Sequence, residues 1–325
     1  MSLGIEFRQK IPSGAIFFKV KETIDRLNTV CEEAKCPNRT ECYAQGTLTF
    51  QILGNLCTRR CGFCAEKTGR PLAVDATESE QILEAVLKLK LSHVVLTAPA
   101  RDDLADGGAA QFAAVVKLVK KGAPQSTVET LTSDFEGNSF ALETVLESGP
   151  DVFNHNVETV RRLSPSVRAK ATYDRSLSVL SRAVKFGGAK VKSGLMVGLG
   201  ETFDELRQTF SDLSALGVEL LTVGQYLQPS KEHLPIQKFY SADEFLEIRR
   251  IAESFPFENV FCGPLVRSSY HAGEMLKPRI CIRREPKDEK TCGKFCSERR
   301  KRTRCGTVEE LGTKLSQDFL STATS

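Results

Sequence analysis

Six of the chain's eleven cysteines lie between positions 31 and 64 and fall into two groups of three. We call them the first triplet, Cys31, Cys36 and Cys42, and the second triplet, Cys57, Cys61 and Cys64. Four and then five residues separate the thiols of the first triplet, and three and then two separate those of the second. Thiols this dense on short loops either pair in disulfides or bind a metal.

Composition argues against disulfides. The sequence opens Met-Ser-Leu without an apolar signal segment, and no run approaches the roughly 18 apolar residues of a membrane span. A chain of 325 residues with 41% hydrophobic residues can bury an ordinary core without covalent staples, and an odd number of cysteines cannot all pair. We therefore expect a cytoplasmic protein with no membrane partner and with reduced, metal-binding cysteines.

The ligand spacing favours iron–sulfur over zinc. Structural zinc usually takes four ligands, often as two CxxC-like pairs, whereas each group here stops at three. Iron–sulfur clusters suit thiolates and normally take four, so a CxxxCxxC loop can bind three irons of a four-iron cluster and leave the fourth open for a substrate. The alternative of buried free thiols fits poorly with Arg59 and Arg60 inside the second loop.

Strand-like and helix-like runs alternate from Thr47 onward. The predicted strands are Thr47–Leu53, His93–Ala98, Thr127–Thr132, Val152–Asn156, Val191–Val197 and Leu220–Tyr226. The predicted helices that follow them are Glu78–Lys90, Ala109–Lys121, Phe140–Glu147, Ser176–Phe186, Thr202–Leu216 and Ala242–Ser254. Apolar strands in six such units indicate a parallel sheet curled into a barrel, and a closed eight-stranded barrel would need more units.

The predicted fold class is therefore α/β, a partial (βα)6 TIM-like barrel with an N-terminal iron–sulfur extension and a C-terminal cap. We place the extension with the first triplet at residues 1–46 and the barrel at 47–241. A C-terminal helix and cap occupy 242–275, and a basic, cysteine-containing tail occupies 276–325. In such barrels the chemistry gathers at the carboxyl ends of the strands.

Polar residues follow several predicted strands. Alternation places Asn154, Asn156 and Glu158 on one face of an extended segment, where three polar groups need partners such as the hydroxyls of a ribose. His155 points the other way, which indicates a structural role. Asp134, after the third strand, is either a site acid or a helix cap, and the cap is the default for a lone carboxylate.

Three motifs together carry a resemblance to a known family. The CxxxCxxC loop after the first strand resembles the radical S-adenosylmethionine superfamily. With CEEAKCPNRTEC before that loop and RSSYHA at residues 267–272, the chain resembles the lipoyl synthase family over about residues 20–275. It departs from the family pattern at residues 98–100 and at Ser133, where the family usually has proline.

The resemblance implies two 4Fe–4S clusters and S-adenosylmethionine as cofactors. By that resemblance the second triplet binds the cluster that cleaves S-adenosylmethionine, and the first triplet, with Ser269 as fourth ligand, binds the cluster that supplies sulfur. A serine oxygen is a harder donor than a thiolate and matches iron in a sulfide cluster less well. We interpret Ser269 as a deliberately weak ligand in a cluster built to be opened.

Four further residues receive roles by the same resemblance. Phe63 packs beside the cluster and offers its backbone to the adenine, although a plain core aromatic is the alternative. Asn156 and Glu158 bind the ribose. Arg175 pairs with the methionine carboxylate, for which a guanidinium fork is well suited, and the alternative is a surface ion pair of little value.

The function implied is radical insertion of two sulfur atoms at carbons six and eight of a protein-bound octanoyl chain. The implied partners are an octanoylated lipoyl-carrier domain or glycine-cleavage H protein, a ferredoxin or flavodoxin type electron donor, and iron–sulfur assembly or repair proteins. The alternatives are a biotin-synthase-like enzyme that acts on a small molecule, and a non-catalytic iron–sulfur or zinc protein whose basic tail binds nucleic acid. A net charge of only +4 argues against nucleic acid.

The tail carries the remaining motif. Its cysteines are Cys281, Cys292, Cys296 and Cys305, and their spacing matches no metal-binding pattern. A dense basic run covers residues 299–304, which is suited to docking an acidic domain. We expect a partly disordered segment ending in a short helix near residues 308–320.

Overall fold

The computed structural model describes residues 15–276 except 26, 34, 35 and 37. The predictions for the tail, including its four cysteines and its short helix, lie outside the described residues, as does the whole segment that precedes residue 15. Within the described part of the chain, no helix combines the length and apolarity that a membrane crossing needs.

A parallel sheet of seven strands forms the centre of the fold. The described strands are β1 (Thr47–Gln51), β2 (Leu56–Cys57), β3 (Lys67–Thr68), β4 (His93–Thr97), β5 (Thr127–Leu131), β6 (Val152–Asn154), β7 (Lys190–Val197), β8 (Leu220–Gln225) and β9 (Asn259–Gly263). The large sheet has the order β1-β4-β5-β6-β7-β8-β9, and β2 pairs with β3 separately. Each strand adds to the same edge of this curled sheet, and the described strands β1 and β9 are not hydrogen-bonded to each other, so the partial barrel is open between them.

Helices connect the strands and cover the sheet. The described helices are α1 (Ala15–Thr23), α2 (Val30–Glu33), α3 (Arg39–Ala44), α4 (Glu78–Leu89), α5 (Ala109–Gly122), α6 (Ser139–Glu147), α7 (Ser164–Val167), α8 (Tyr173–Phe186), α9 (Phe203–Ala215) and α10 (Ala242–Glu253). In α4, apolar residues at helical spacing, Ile82, Ala85, Val86 and Leu89, form the buried face. Capping boxes start α9 and α10, so both helices begin where their sequences predict.

The predicted partial barrel is confirmed, and all six predicted strand–helix units are present. Two features were missed. β9 is a seventh parallel strand inside the segment predicted as a cap, where a run of five residues gives little pattern. The helices α2 and α3, which carry Cys31 and Cys42, have four and six residues and are too short to show periodicity.

The strand predicted to continue to Asn156 ends at Asn154. Beyond it the chain still follows β7, because the Glu158 amide donates to the Gly194 carbonyl at 3.1 Å and the Met196 amide donates to the Glu158 carbonyl at 2.8 Å. Glu158 itself has a left-handed conformation, with φ of 66°. Such a backbone is unfavourable for glutamate and recurs at ligand sites.

A buried ionic network joins four neighbouring strands. Glu129 on β5 accepts hydrogen bonds from the Lys192 ammonium at 3.0 and 3.1 Å and from the Asn154 amide at 2.7 Å. The His93 ring lies 3.5 Å away on the other side. Burial opposes ionisation of Glu129, but the Lys192 charge, His93 and the Asn154 amide together outweigh it and lower the pKa of Glu129 to about 2.

This pair predicts a specific stability pattern. Lys192→Met leaves a buried carboxylate without its cation and should lower the free energy of unfolding by about 3–5 kcal/mol, whereas the double change Glu129→Gln with Lys192→Met should cost clearly less. Because the pKa of Glu129 is lowered on folding, its stabilisation is fully present above the ordinary value of 4.5 and is lost as the pH falls towards 2. Denaturant unfolding between pH 3 and pH 7 measures both effects. Equal losses in the single and double variants would contradict this account.

Candidate active site

One cavity of about 950 Å³ opens at the carboxyl ends of the strands. Its wall includes Thr97 and Gln225, the last residues of β4 and β8. All six cysteines of the two triplets line it, together with Ser269. These seven side chains are spread over more than two hundred positions of the sequence, and the fold brings them together around one cavity.

The C-terminal segment reaches the first triplet through specific contacts with α3. The Asn38 side chain donates to the Leu265 carbonyl at 2.7 Å, and the Tyr270 hydroxyl donates to Glu41 at 3.2 Å. His271 lies 2.9 Å from the other oxygen of Glu41. Since Glu41 immediately precedes Cys42, these bonds place the RSSY segment against the loop of the first triplet.

A close backbone approach fixes the other side of this segment. A side-chain carbon on Gly224 would lie 2.0 Å from the Val266 carbonyl oxygen, so only glycine permits the chain to pass β8 at this point. Further on, a 3-10 helix (Ala272–Leu276) packs Met275 against Val152 and Leu220, the first residues of β6 and β8. The segment thus runs from the carboxyl ends to the amino ends of the strands.

The loop of the second triplet is held by backbone contacts. The Arg59 amide donates to the Cys57 sulfur at 3.3 Å, and the Ala169 amide donates to the Cys61 sulfur at 3.4 Å. The Gly62 amide donates to the Val167 carbonyl, and the Gly62 carbonyl accepts from the Leu234 amide. A side-chain carbon at position 62 would lie 2.9 Å from the Leu234 side chain. Hydrogen bonds to ligand sulfurs are one of the means by which proteins set the potential of an iron–sulfur cluster.

Arg59 anchors this loop through a buried ion network that sequence reasoning missed. Its guanidinium donates to Asp102 at 2.7 to 3.0 Å and to Asp134 at 2.6 Å. Lys170 also contacts Asp102, at 3.1 Å, and Arg175 contacts Asp134, at 3.1 Å. The sequence contains one indication of this network, which is that Arg59 lies inside the cysteine loop and that Asp102 and Asp103 follow the next strand.

The predicted cap role of Asp134 is confirmed, because its side chain accepts a hydrogen bond from the Glu136 amide at 3.2 Å. Burial opposes its ionisation, but Arg59 more than compensates and lowers the pKa of Asp134. Arg175 does not line the cavity, although Asp134 does. The partner of Arg175 is fully buried, so the pair is not the surface ion pair that was the alternative.

Asn156, Glu158 and Phe63 all line the cavity, as a nucleoside site requires. The Asn156 amide nitrogen donates to the Ser268 hydroxyl at 2.7 Å, and its oxygen has no hydrogen-bond partner within the described residues. A ligand hydroxyl can donate to that oxygen, which fits a ribose. Burial raises the pKa of Glu158.

His155 is held in the wall by its two ring nitrogens. One contacts the Thr132 carbonyl at 2.9 Å and the other contacts the Ser176 hydroxyl at 2.9 Å. Burial lowers the pKa of His155 to about 4, so the ring is neutral at physiological pH. The structural role expected for this histidine agrees with these contacts.

The thiols fit a cluster better than a single ion. Burial raises the pKa of Cys31 to about 11 and those of Cys42 and Cys64 to about 12, so a cation must offset the cost of forming thiolates. Among the described residues, no three cysteine, histidine or acidic side chains are placed to bind one metal ion. Zinc at about 2.3 Å from each sulfur needs such a tight group, whereas the ligands of a cluster bind separate irons.

Arg267 adds positive charge beside the first triplet. It lines the cavity near Cys36, and its guanidinium donates to the Val266 carbonyl at 2.7 Å. It forms no ion pair with any carboxylate in the described part of the chain. A half-buried cation without a carboxylate favours an anionic group in the cavity.

Comparisons with known proteins agree with this geometry. Residues 52–213 match the model of the radical SAM superfamily. Lipoyl synthase from Halalkalibacterium halodurans is 54% identical over 77% of this chain and 83% of its own length, and lipoyl synthase from Bacillus pumilus is 52% identical over 78% and 85%. The crystal structure of methylornithine synthase superposes with a TM-score of 0.51 at 16% identity, covering 65% of this chain and 63% of that one, which shows a shared fold.

The two arginines of the second loop provide a matched test of the ion network. Arg59→Leu removes the cation between two buried carboxylates and should lower the free energy of unfolding by about 3 kcal/mol, with faster hydrogen exchange across residues 57–64. Arg60→Leu changes an exposed side chain and should shift it by no more than about 0.5 kcal/mol. Equal effects of the two substitutions would show that the network does not hold the loop.

Proposed function

The chain belongs to the lipoyl synthase family of the radical SAM superfamily, and on that premise we propose that its two triplets bind two separate 4Fe–4S clusters in one cavity. It is a sulfur-inserting enzyme of the radical SAM type, with an iron–sulfur cluster and S-adenosylmethionine as cofactors. The convergence of six thiols and Ser269 on a single space carries the proposal. Its volume of about 950 Å³ lies at the upper end for ligand pockets and suits several groups together.

The proposed roles divide the cavity into two halves. Cys57, Cys61 and Cys64 hold three irons of one cluster and leave the fourth iron open to S-adenosylmethionine. Phe63 would lie beside the adenine, and Asn156 and Glu158 would bind the ribose. Arg175, which pairs with Asp134 and does not line the cavity, would have to turn into the cavity to pair with the methionine carboxylate. When bound, the two clusters and S-adenosylmethionine supply a radical that removes hydrogen from unactivated carbon and the sulfur that replaces it.

The residues of the chain position this chemistry rather than move protons. Asp134 is held by two arginines and His155 by two neutral partners, so neither side chain is free to act as a base. Unactivated C–H bonds offer no acidic proton, which makes a general base unnecessary.

We propose Ser269 as the fourth ligand of the cluster on Cys31, Cys36 and Cys42. It lines the same cavity, and the contacts of its segment with α3 hold it near Cys42. Its oxygen would be the weakest of the four ligands. The nearby Arg267 would balance the negative charge of that cluster.

The proposed substrate is an octanoyl chain carried on a lipoyl-carrier domain or on a glycine-cleavage H protein. A ferredoxin or flavodoxin type protein would deliver electrons, and iron–sulfur assembly or repair proteins would rebuild the cluster that loses sulfur. The relatives favour this function over a biotin-synthase-like one. The nucleic-acid alternative depends on the tail, outside the described residues, and the cytoplasmic location stays a prediction.

Single cysteine substitutions separate the two proposed clusters. Cys31→Ala should retain about half of the wild-type iron, keep reductive cleavage of S-adenosylmethionine and lose sulfur insertion, because only the sulfur-supplying cluster is removed. Cys57→Ala should lose both activities. Cys262→Ala is the matched control, since that thiol lies outside the cavity and should change neither. Loss of S-adenosylmethionine cleavage in Cys31→Ala would argue against separate roles.

Ser269→Cys tests the weak ligand. A thiolate holds iron more tightly than a serine oxygen, so this variant should keep its full iron content and its cleavage of S-adenosylmethionine, while sulfur insertion falls at least about tenfold. Iron analysis and single turnover on an octanoylated carrier domain measure the two properties side by side. Normal sulfur insertion by this variant would show that the ligand need not be weak.

A further inference from the structure

A surface strip covers the outer side of the second-triplet loop. We define it as residues 67–74, which begin with β3. The Gly69 amide donates to the Cys57 carbonyl at 3.0 Å, and the Thr68 hydroxyl donates to the Arg59 carbonyl at 3.1 Å. The buried Arg101 holds the other end by donating to the Leu72 carbonyl at 2.9 Å. The strip is therefore ordered and one hydrogen bond from a proposed cluster ligand.

Cations outnumber carboxylates around this strip. Between residues 57 and 75 the exposed charged side chains are Arg60, Lys67, Arg70 and Asp75, and the half-buried Glu66 lies beside Lys67. None of the three cations forms an ion pair with a described residue. Elsewhere on the surface many cations are neutralised locally, as Lys190 is by Glu219 and Glu258. A patch of unpaired cations attracts an acidic partner.

Apolar side chains lie within the same strip. Leu72 is 82% exposed and Val74 is 38% exposed. Neighbouring exposed apolar side chains close in sequence to an arginine are typical of protein contact surfaces. None of residues 67–74 lines the cavity, so the strip is a surface separate from the cavity wall.

We propose that the strip docks an acidic one-electron carrier protein that reduces the cluster on Cys57, Cys61 and Cys64. This inference rests on the proposed function, because it names the partner of that cluster. The reduced partner gives up one electron and becomes oxidised, and the cluster gains that electron with no proton or atom transferred. The path from the strip to the ligand runs through the hydrogen bond between Gly69 and Cys57.

Such a contact should be brief and sensitive to salt. Encounters between electron-transfer proteins bury little surface, and their association rates depend on long-range charge attraction. Ionic screening shortens that attraction to about 10 Å at 0.1 M salt. Charge reversal on the strip should therefore slow reduction at low ionic strength and have little effect at high ionic strength.

The test compares two reductants on the reconstituted full chain with the double variant Lys67→Glu with Arg70→Glu. With a reduced low-potential flavodoxin as the protein reductant, the second-order rate constant for cluster reduction should fall at least about tenfold at low salt. With dithionite, S-adenosylmethionine cleavage should equal that of wild type. Lys117→Glu, an exposed lysine on α5, is the control and should behave as wild type with both. Leu72→Asn, which removes the apolar side chain without adding charge, should also slow reduction by the flavodoxin, with less dependence on salt.

Each other outcome overturns the proposal in a recognisable way. An unchanged rate with the flavodoxin would exclude the strip as its docking surface. An equal loss with dithionite would assign the effect to the cysteine loop itself. Normal reduction by the flavodoxin with impaired turnover of an octanoylated carrier domain would assign the strip to the carrier. If wild type fails to cleave S-adenosylmethionine with dithionite, the proposed function fails, whatever the strip does.

Discussion

Burial of thiols is the interaction on which the rest of this structure depends. A buried thiol resists ionisation, and Cys31, Cys42 and Cys64 all have pKa values raised to between about 11 and about 12. Six un-ionised thiols around one cavity therefore do little to stabilise the fold by themselves. A cation that binds them as thiolates would contribute its binding free energy to the stability of the folded chain. Arg267, near Cys36, places a positive charge in the wall around them, which suits the anionic cluster proposed there.

The barrel forms the cavity, and three separate segments of the chain bring the cysteines and Ser269 to it. Short helices before β1 carry the first triplet, the loop after β1 carries the second, and the chain beyond β9 returns past Gly224 to bring Ser269. The ion network of Arg59 holds the second loop against the ends of β4 and β5. Because Arg175 shares Asp134 with Arg59, the proposed binding residue for the methionine carboxylate and the cluster loop are parts of one network.

The sequence predicted the barrel because apolar strands and amphipathic helices alternate with clear periods. Their specific spacing singled out the six cysteines, and the resemblance added Ser269, Phe63, Asn156 and Glu158; the structure places all ten side chains around one cavity, while their binding roles stay predictions. It could not predict the partners of Arg59, since nothing local marks Asp102 and Asp134 as neighbours of a loop that lies before them. It also missed β9 and the left-handed Glu158, which depend on tertiary contacts rather than on pattern.

Whether two clusters share one cavity can be seen in an anaerobic crystal structure of the reconstituted chain, with iron located by its anomalous scattering. We expect two four-iron sites in the same cavity, one on Cys57, Cys61 and Cys64 and one on the first triplet with Ser269. A single iron site, or a second site away from the first triplet, would contradict this expectation.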